Sequence, residues 1–117
     1  MKSLSISIIA SVAFGLAAAT SANAFMAFTS SKELNLRAGP GEEFAIIGVM
    51  ERDVRVNMTG CVDDYTWCLV TVDGLVGWAF ARSIVLDTEE GIIHVYEAAE
   101  KDMIPIVGAD GVLIIKE

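Results

Sequence analysis

The chain has 117 residues, a length typical of one small domain. Eight lysines and arginines against 16 aspartates and glutamates give a formal net charge of −8, so the chain lacks the basic face that nucleic-acid binding requires. A hydrophobic content of 54% excludes a disordered chain, and two cysteines with one histidine are too few for a zinc cage.

Residues 1–24 have the three regions of a cleavable export signal. Lys2 gives a positive start, an uncharged apolar stretch follows at residues 6–19, and Ala-Asn-Ala at residues 22–24 matches the pattern that signal peptidases cleave. The apolar stretch is shorter than the about 20 residues that span a bilayer. We therefore predict a periplasmic or secreted protein that begins at Phe25 and keeps no stable membrane anchor.

Short segments with strand-like patterns, separated by turn residues, occupy residues 30–85. Asp73-Gly74 is a strong signal for a two-residue hairpin turn. A single 3₁₀ turn is expected at residues 80–83, where no longer helical periodicity is found. The predicted strands cover residues 33–37, 44–50, 53–59, 67–72 and 75–80.

Five motifs in this region resemble, in order, those of the bacterial SH3-like (SH3b) domain family. They are Leu-Asn-Leu-Arg-Ala-Gly-Pro-Gly at 34–41, Ile-Gly-Val at 47–49, Val-Arg-Val at 54–56, Trp-Cys-Leu-Val at 67–70, and Gly-Trp-Ala at 77–79, the last followed by Ala-Arg-Ser-Ile at 81–84. The resemblance covers about residues 29–85. It implies an all-β fold, a small SH3-like barrel, and a binding role without a cofactor. Two residues depart from the pattern. Ile84 stands where the family often has Tyr, and Ala79 stands where Val is common.

Residues 86–117 lie beyond the resemblance and hold two basic and eight acidic residues. An acidic connector at 86–91 precedes a predicted strand at 92–96. Residues 103–107 and 112–115 are predicted to pair as a hairpin. This β-rich extension is either an addition to the barrel or half of an interface.

Cys61 and Cys68 bracket a loop that joins two predicted strands. Antiparallel strands would place them opposite each other, within reach of a disulfide, and an exported chain matures in an oxidising compartment. A metal pair or a reactive thiol is the alternative, but a nucleophilic cysteine needs a base, and His94 lies in an unrelated segment. We predict a structural disulfide.

Tyr65, Trp67 and Trp78 are the candidate ligand-binding residues, because Trp and Tyr combine a large rigid surface with a polar group. The resemblance supports this choice, since SH3b ligand grooves are lined by aromatic residues. Both tryptophans can instead be packing residues, and Gly77 favours a bend that exposes Trp78. Arg37 can be a structural residue rather than a binding residue, in which case its guanidinium would bond backbone or acidic groups at a strand edge.

No arrangement of residues indicates catalysis or a metal site. His94 alternates with apolar neighbours and is expected to face outward from a strand. The adjacent acidic pairs at 42–43, 63–64 and 89–90 would point to opposite faces of a strand, so they are expected to be solvated loop charges.

The sequence predicts a non-catalytic exported module, and the resemblance to SH3b domains implies that it recognises cell-envelope material, either peptidoglycan or an envelope protein or peptide, through a shallow aromatic surface. The net charge of −8 gives no general attraction to anionic polymers, so recognition would be local. The alternative is an interaction or inhibitor protein that offers its acidic C-terminal strands, within residues 92–115, to a basic partner.

Overall fold

A computed structural model describes residues 25–114 of the chain, and every structural statement below concerns that range. The predicted export signal at residues 1–24 lies outside the described residues. So does Ile115, the last residue of the predicted C-terminal hairpin.

The strands form one mostly antiparallel sheet, which confirms the all-β prediction. The strands are β1 (Phe25–Thr29), β2 (Glu33–Arg37), β3 (Ile46–Glu51), β4 (Arg55–Cys61), β5 (Trp67–Val72), β6 (Leu75–Phe80), β7 (Ile84–Thr88), β8 (Gly91–His94), β9 (Ile106–Val107) and β10 (Leu113–Ile114). Along the sheet the order is β3-β2-β6-β5-β4-β1-β7-β8, while β9 pairs in parallel with β4 and antiparallel with β10.

The turn chemistry of the central hairpin is as predicted. Asp73 and Gly74 connect β5 to β6 with φ of 51° and 83°, the left-handed geometry that a two-residue turn needs. A 3₁₀ helix at Ala81–Ser83 follows β6, again as predicted.

The core begins with the alternating residues of β2 and β4. Leu34 and Leu36 on β2, and Val56 and Met58 on β4, are buried, whereas their sequence neighbours are more exposed. A half-buried Val54 packs against the same cluster. The inward face expected from period-two patterning is therefore the face that is buried.

One central strand has no counterpart in the sequence-based prediction. β1 pairs with β4, Ala27 opposite Val56, and with β7, Ala27 opposite Leu86. The sheet therefore begins before the predicted domain start at residue 29.

The predicted strand at residues 92–96 is wrong in its second half, because helix α1 (Val95–Glu100) begins there. Val95 and Ala98 are buried at a spacing of three, which places both on one helical face. Alternation through Ile93 and Val95 fits a strand equally well, but the Ala and Glu residues that follow are strong helix formers.

The extension belongs to the same core as the SH3-like segment. β7 runs through Thr88, so the predicted boundary at residue 85 falls inside a strand. β8 then pairs with β7, and the main hydrophobic cluster includes Ile93, Val95 and Ile104. The extension therefore adds strands and buried side chains to the same sheet and core.

Candidate ligand-binding surface

The two cysteines are joined across neighbouring strands. Cys61 on β4 and Cys68 on β5 are register partners, and their sulfur atoms lie 2.07 Å apart. Both side chains are fully buried. The pairing predicted from spacing and compartment is therefore present, and it closes the loop at residues 62–67.

Local hydrogen bonds shape this loop. Asp64 Oδ1 accepts bonds from the backbone N–H of Thr66 (3.1 Å) and from its Oγ1 (2.6 Å). These donors stabilise the carboxylate and lower the pKa of Asp64 below its usual value. The Ala81 N–H donates to the Thr66 carbonyl at 2.9 Å, so the loop is also tied to the 3₁₀ helix.

Tyr65 lies at the tip of the loop with a φ of 60°. A bulky residue rarely adopts this left-handed conformation, which costs of order 1–3 kcal/mol and is often found at functional sites. Its N–H donates to the Val62 carbonyl at 2.8 Å, which fixes the turn, and its half-buried ring packs against the main core. The ring is therefore held in place while part of it stays accessible.

Trp67 and Phe80 form an aromatic pair beside this loop. They are register partners on β5 and β6, with ring centroids 5.5 Å apart and planes tilted by 60°. Phe80 is 37% exposed and Trp67 is half-buried. We name this pair and the loop residue Tyr65 the aromatic surface. Trp67 packs against the smaller cluster of Leu69, Trp78 and Val107, whereas Tyr65 packs against the main one. Phe80 was not among the predicted site residues, because only its register opposite Trp67 identifies it.

Trp78 does not contribute to this surface, because its side chain is only 4% exposed. It packs with Leu69, its partner on β5, and with Val107 and Leu113 of the β9–β10 hairpin. The bend expected at Gly77 does not expose the ring. Gly77 instead allows close packing, since an added Cβ would lie 2.6 Å from Cγ of Leu36.

Arg37 organises the loop between β2 and β3. Its Nη1 donates to the carbonyl oxygens of Glu42 and Phe44, both at 2.9 Å. These contacts match the structural alternative, in which the guanidinium bonds the backbone.

The other titratable candidates lie on the surface. His94 is exposed at the end of β8, and the adjacent acidic pairs at 42–43, 63–64 and 89–90 are exposed as well. Between residues 25 and 114, no group of three or more His, Cys, Asp or Glu side chains could hold a metal ion. Within that range, no helix has the length and apolar character to cross a membrane.

Comparison with known families matches residues 32–85 to the bacterial SH3 domain. No curated protein and no solved structure matches the chain.

Proposed function

We propose that the protein is an exported, non-catalytic module that binds cell-envelope material, and the premise is the match of residues 32–85 to the bacterial SH3 domain. Bacterial SH3 domains are binding modules, often related to the cell wall. The leading ligand is peptidoglycan, with an envelope protein or peptide as the second possibility.

The observation that carries the proposal is the aromatic surface. Trp67 and Phe80 offer two partly exposed rings on paired strands, and the disulfide-closed loop holds Tyr65 nearby in the chain in a strained conformation. Rigid aromatic side chains bind sugars and peptides with little loss of conformational entropy. A surface held in this way is suited to recognition and requires no cofactor.

The disulfide also supports export. A buried disulfide persists in oxidising compartments and is rare in the cytosol. Together with the sequence of residues 1–24, it favours a periplasmic or secreted location. Mass spectrometry of the protein recovered from its native compartment tests this, since a first residue other than Phe25 would contradict the predicted cleavage.

Sedimentation with purified sacculi tests the ligand. The mature, oxidised chain is expected to pellet with the sacculi, whereas Tyr65→Asn and Phe80→Ala should reduce the bound fraction severalfold. Asn tolerates the left-handed backbone at position 65, so this variant removes the ring without adding strain. Tyr96→Ala is the matched control, because Tyr96 is similarly exposed but lies on helix α1.

If the wild-type protein stays in the supernatant, peptidoglycan is not the ligand. Crosslinking in intact cells then identifies the protein that contacts the aromatic surface. The inhibitor alternative has less structural support, because β8 and β9 are paired within the sheet and residues of the extension lie in the core.

A further inference from the structure

A groove that shares no residue with the aromatic surface lies beside β3. Its volume is about 460 Å³, within the range of small-ligand and peptide pockets. Leu36 and Met50, both buried, form part of its apolar lining, and the more exposed Val49 and Leu75 line it as well. The groove therefore gives an external side chain access to an apolar part of the barrel.

The strand next to this groove is an edge strand. Within residues 25–114, β3 pairs with β2 and with no other strand, so one side of its backbone has no partner strand. Its exposed residues include Ile47 and Val49, the latter 59% exposed. Natural proteins usually protect edge strands with charges, prolines or bulges, and an apolar edge is a template for adding another strand.

The edge of the groove is acidic. Glu51 and Asp73 line it, both are exposed, and no lysine or arginine lines it. Neither carboxylate forms an ion pair within the described part of the chain. Glu51 also lines a second depression, together with Lys32, Glu33 and Arg52.

Hydrogen bonds to a buried side chain fix the backbone at the end of this edge strand. The buried hydroxyl of Thr29 donates to the carbonyl of Glu51 and accepts the Val54 N–H, which ties the β3–β4 connection to β1. A partner would therefore meet a pre-formed edge, which reduces the entropy lost on binding.

These features distinguish between occupants. A second copy of this chain would bring another acidic molecule, with a formal charge of −8, against the same carboxylates. A basic segment would instead place its charges near Glu51 and Asp73. We propose that β3 and the groove dock an extended segment of a partner protein, with an apolar side chain between basic residues, which adds to β3 as a further strand.

The test uses the mature, oxidised chain and two synthetic peptides, acetyl-Lys-Val-Leu-Val-Lys-amide and its counterpart with Glu in place of both Lys. Titrations are followed by amide chemical shifts in two-dimensional NMR. The lysine peptide is expected to shift the signals of Val49, Glu51 and Leu75, with weaker binding at higher salt. Glu51→Gln combined with Asp73→Asn should weaken binding by about fivefold to tenfold, because two exposed charge contacts are lost.

Asp87→Asn combined with Glu100→Gln is the control, because it changes the net charge equally at exposed positions away from the groove. Equal binding of the glutamate peptide would overturn the proposal, as would shifts confined to Trp67 and Phe80. Shifts along β3 that depend on protein concentration without peptide would assign the edge to a second copy instead. The Tyr65→Asn variant should bind the lysine peptide normally, so this test does not depend on the sacculus experiment.

Discussion

Arg37 shows how one side chain can hold a loop through backbone contacts alone. Its guanidinium donates to two carbonyl groups of the loop after β2, at Glu42 and Phe44. The arginine, glycine and proline of the motif at residues 34–41 can be read from the sequence. A structural role for Arg37 is one of the interpretations that the sequence allows. Which carbonyls it binds depends on the loop conformation, which no periodic pattern specifies.

Arg37→Ala is expected to destabilise the protein by about 1 kcal/mol, because two charge-assisted hydrogen bonds at a partly exposed position are lost. Urea unfolding at neutral pH measures the change. Arg82→Ala removes an exposed arginine of the 3₁₀ helix and should alter the free energy of unfolding much less. Equal effects of the two substitutions would show that the Arg37 contacts contribute no more than surface charge does.

Asp64 makes the loop at residues 62–67 sensitive to acid. The Thr66 donors lower the folded-state pKa of Asp64. The stabilisation that the Asp64 carboxylate contributes is therefore fully present above the unfolded-state pKa of an aspartate, about 3.9. That effect is lost as the pH falls from about 4 through the lowered folded value. Asp64→Asn should therefore destabilise the protein at pH 7 and have less effect near pH 2.

Unfolding curves for the wild-type, Asp64→Asn and Asp63→Asn chains at both pH values provide the measurement. The pKa of Asp64 can be followed directly by NMR titration of its carboxyl carbon. A wild-type value at or above about 3.9 would contradict the proposed role of the Thr66 donors.

At the scale of elements, the β9–β10 hairpin covers the outward-facing residues at the centre of the β4–β5–β6 sheet. Trp78 points away from the barrel interior of the SH3-like segment but is buried because Val107 and Leu113 cover it. The segment that leads into β9 passes close to β4 at Gly60. There the Cys61 N–H donates to the Pro105 carbonyl at 3.0 Å. The SH3-like segment alone would leave Trp78 accessible. Its sequence is therefore compatible both with a ligand-binding role and with a packing role for Trp78.

Gly60→Ala tests this close approach. An added Cβ would lie 2.6 Å from the carbonyl oxygen and 3.1 Å from the carbonyl carbon of Pro105, and these backbone atoms leave little room for adjustment. We expect a loss of about 1–3 kcal/mol in the free energy of unfolding, accompanied by increased exposure of Trp78. Tryptophan fluorescence and urea unfolding report the two effects.

Gly41→Ala is the matched control. The three atoms nearest to its added Cβ all belong to the flexible carboxylate of Glu43, which can move aside. If both alanine variants have the same stability, the approach of Pro105 to Gly60 does not constrain the fold.

The disulfide joins β4 and β5 through a short loop, with a sequence separation of 7. In the chain-entropy model, closing a loop of this size stabilises the folded state by about 2–3 kcal/mol. Cys61→Ala combined with Cys68→Ala should lower stability by at least this amount, and a reducing agent should destabilise the wild-type chain but not the double variant. Two titratable thiols in the unreduced protein would contradict the pairing.

At the scale of the whole molecule, the motif-bearing segment and the C-terminal extension share one sheet and one main core. The hairpin at Asp73-Gly74, the alternating core of β2 and β4 and the cysteine pairing could all be predicted, because each depends on local patterning. β1 was missed because a short apolar run carries no periodicity that separates strand from helix. The role of the extension could not be predicted, because it depends on contacts between distant residues.

A chain that ends at Val85 is expected to remain unfolded. It lacks part of β7, all of β8, and the buried side chains of Leu86, Ile93, Val95, Ala98 and Ile104. Each large apolar side chain contributes about 1.5–3 kcal/mol on burial, whereas small domains have a total stability of about 5–15 kcal/mol. Circular dichroism and NMR dispersion test this. A cooperatively folded fragment would restore the extension as a separable interaction segment.

The position of β1 also determines when folding can be completed. Phe25 pairs with Met58, and Thr29 pairs with Ile84. The first strand of the described chain can therefore pair only after residues far along the chain have been synthesised. Pairings with such a large sequence separation raise the contact order and slow folding. The chain is therefore expected to stay unfolded until β7 has emerged, a delay that would keep an exported polypeptide competent for translocation.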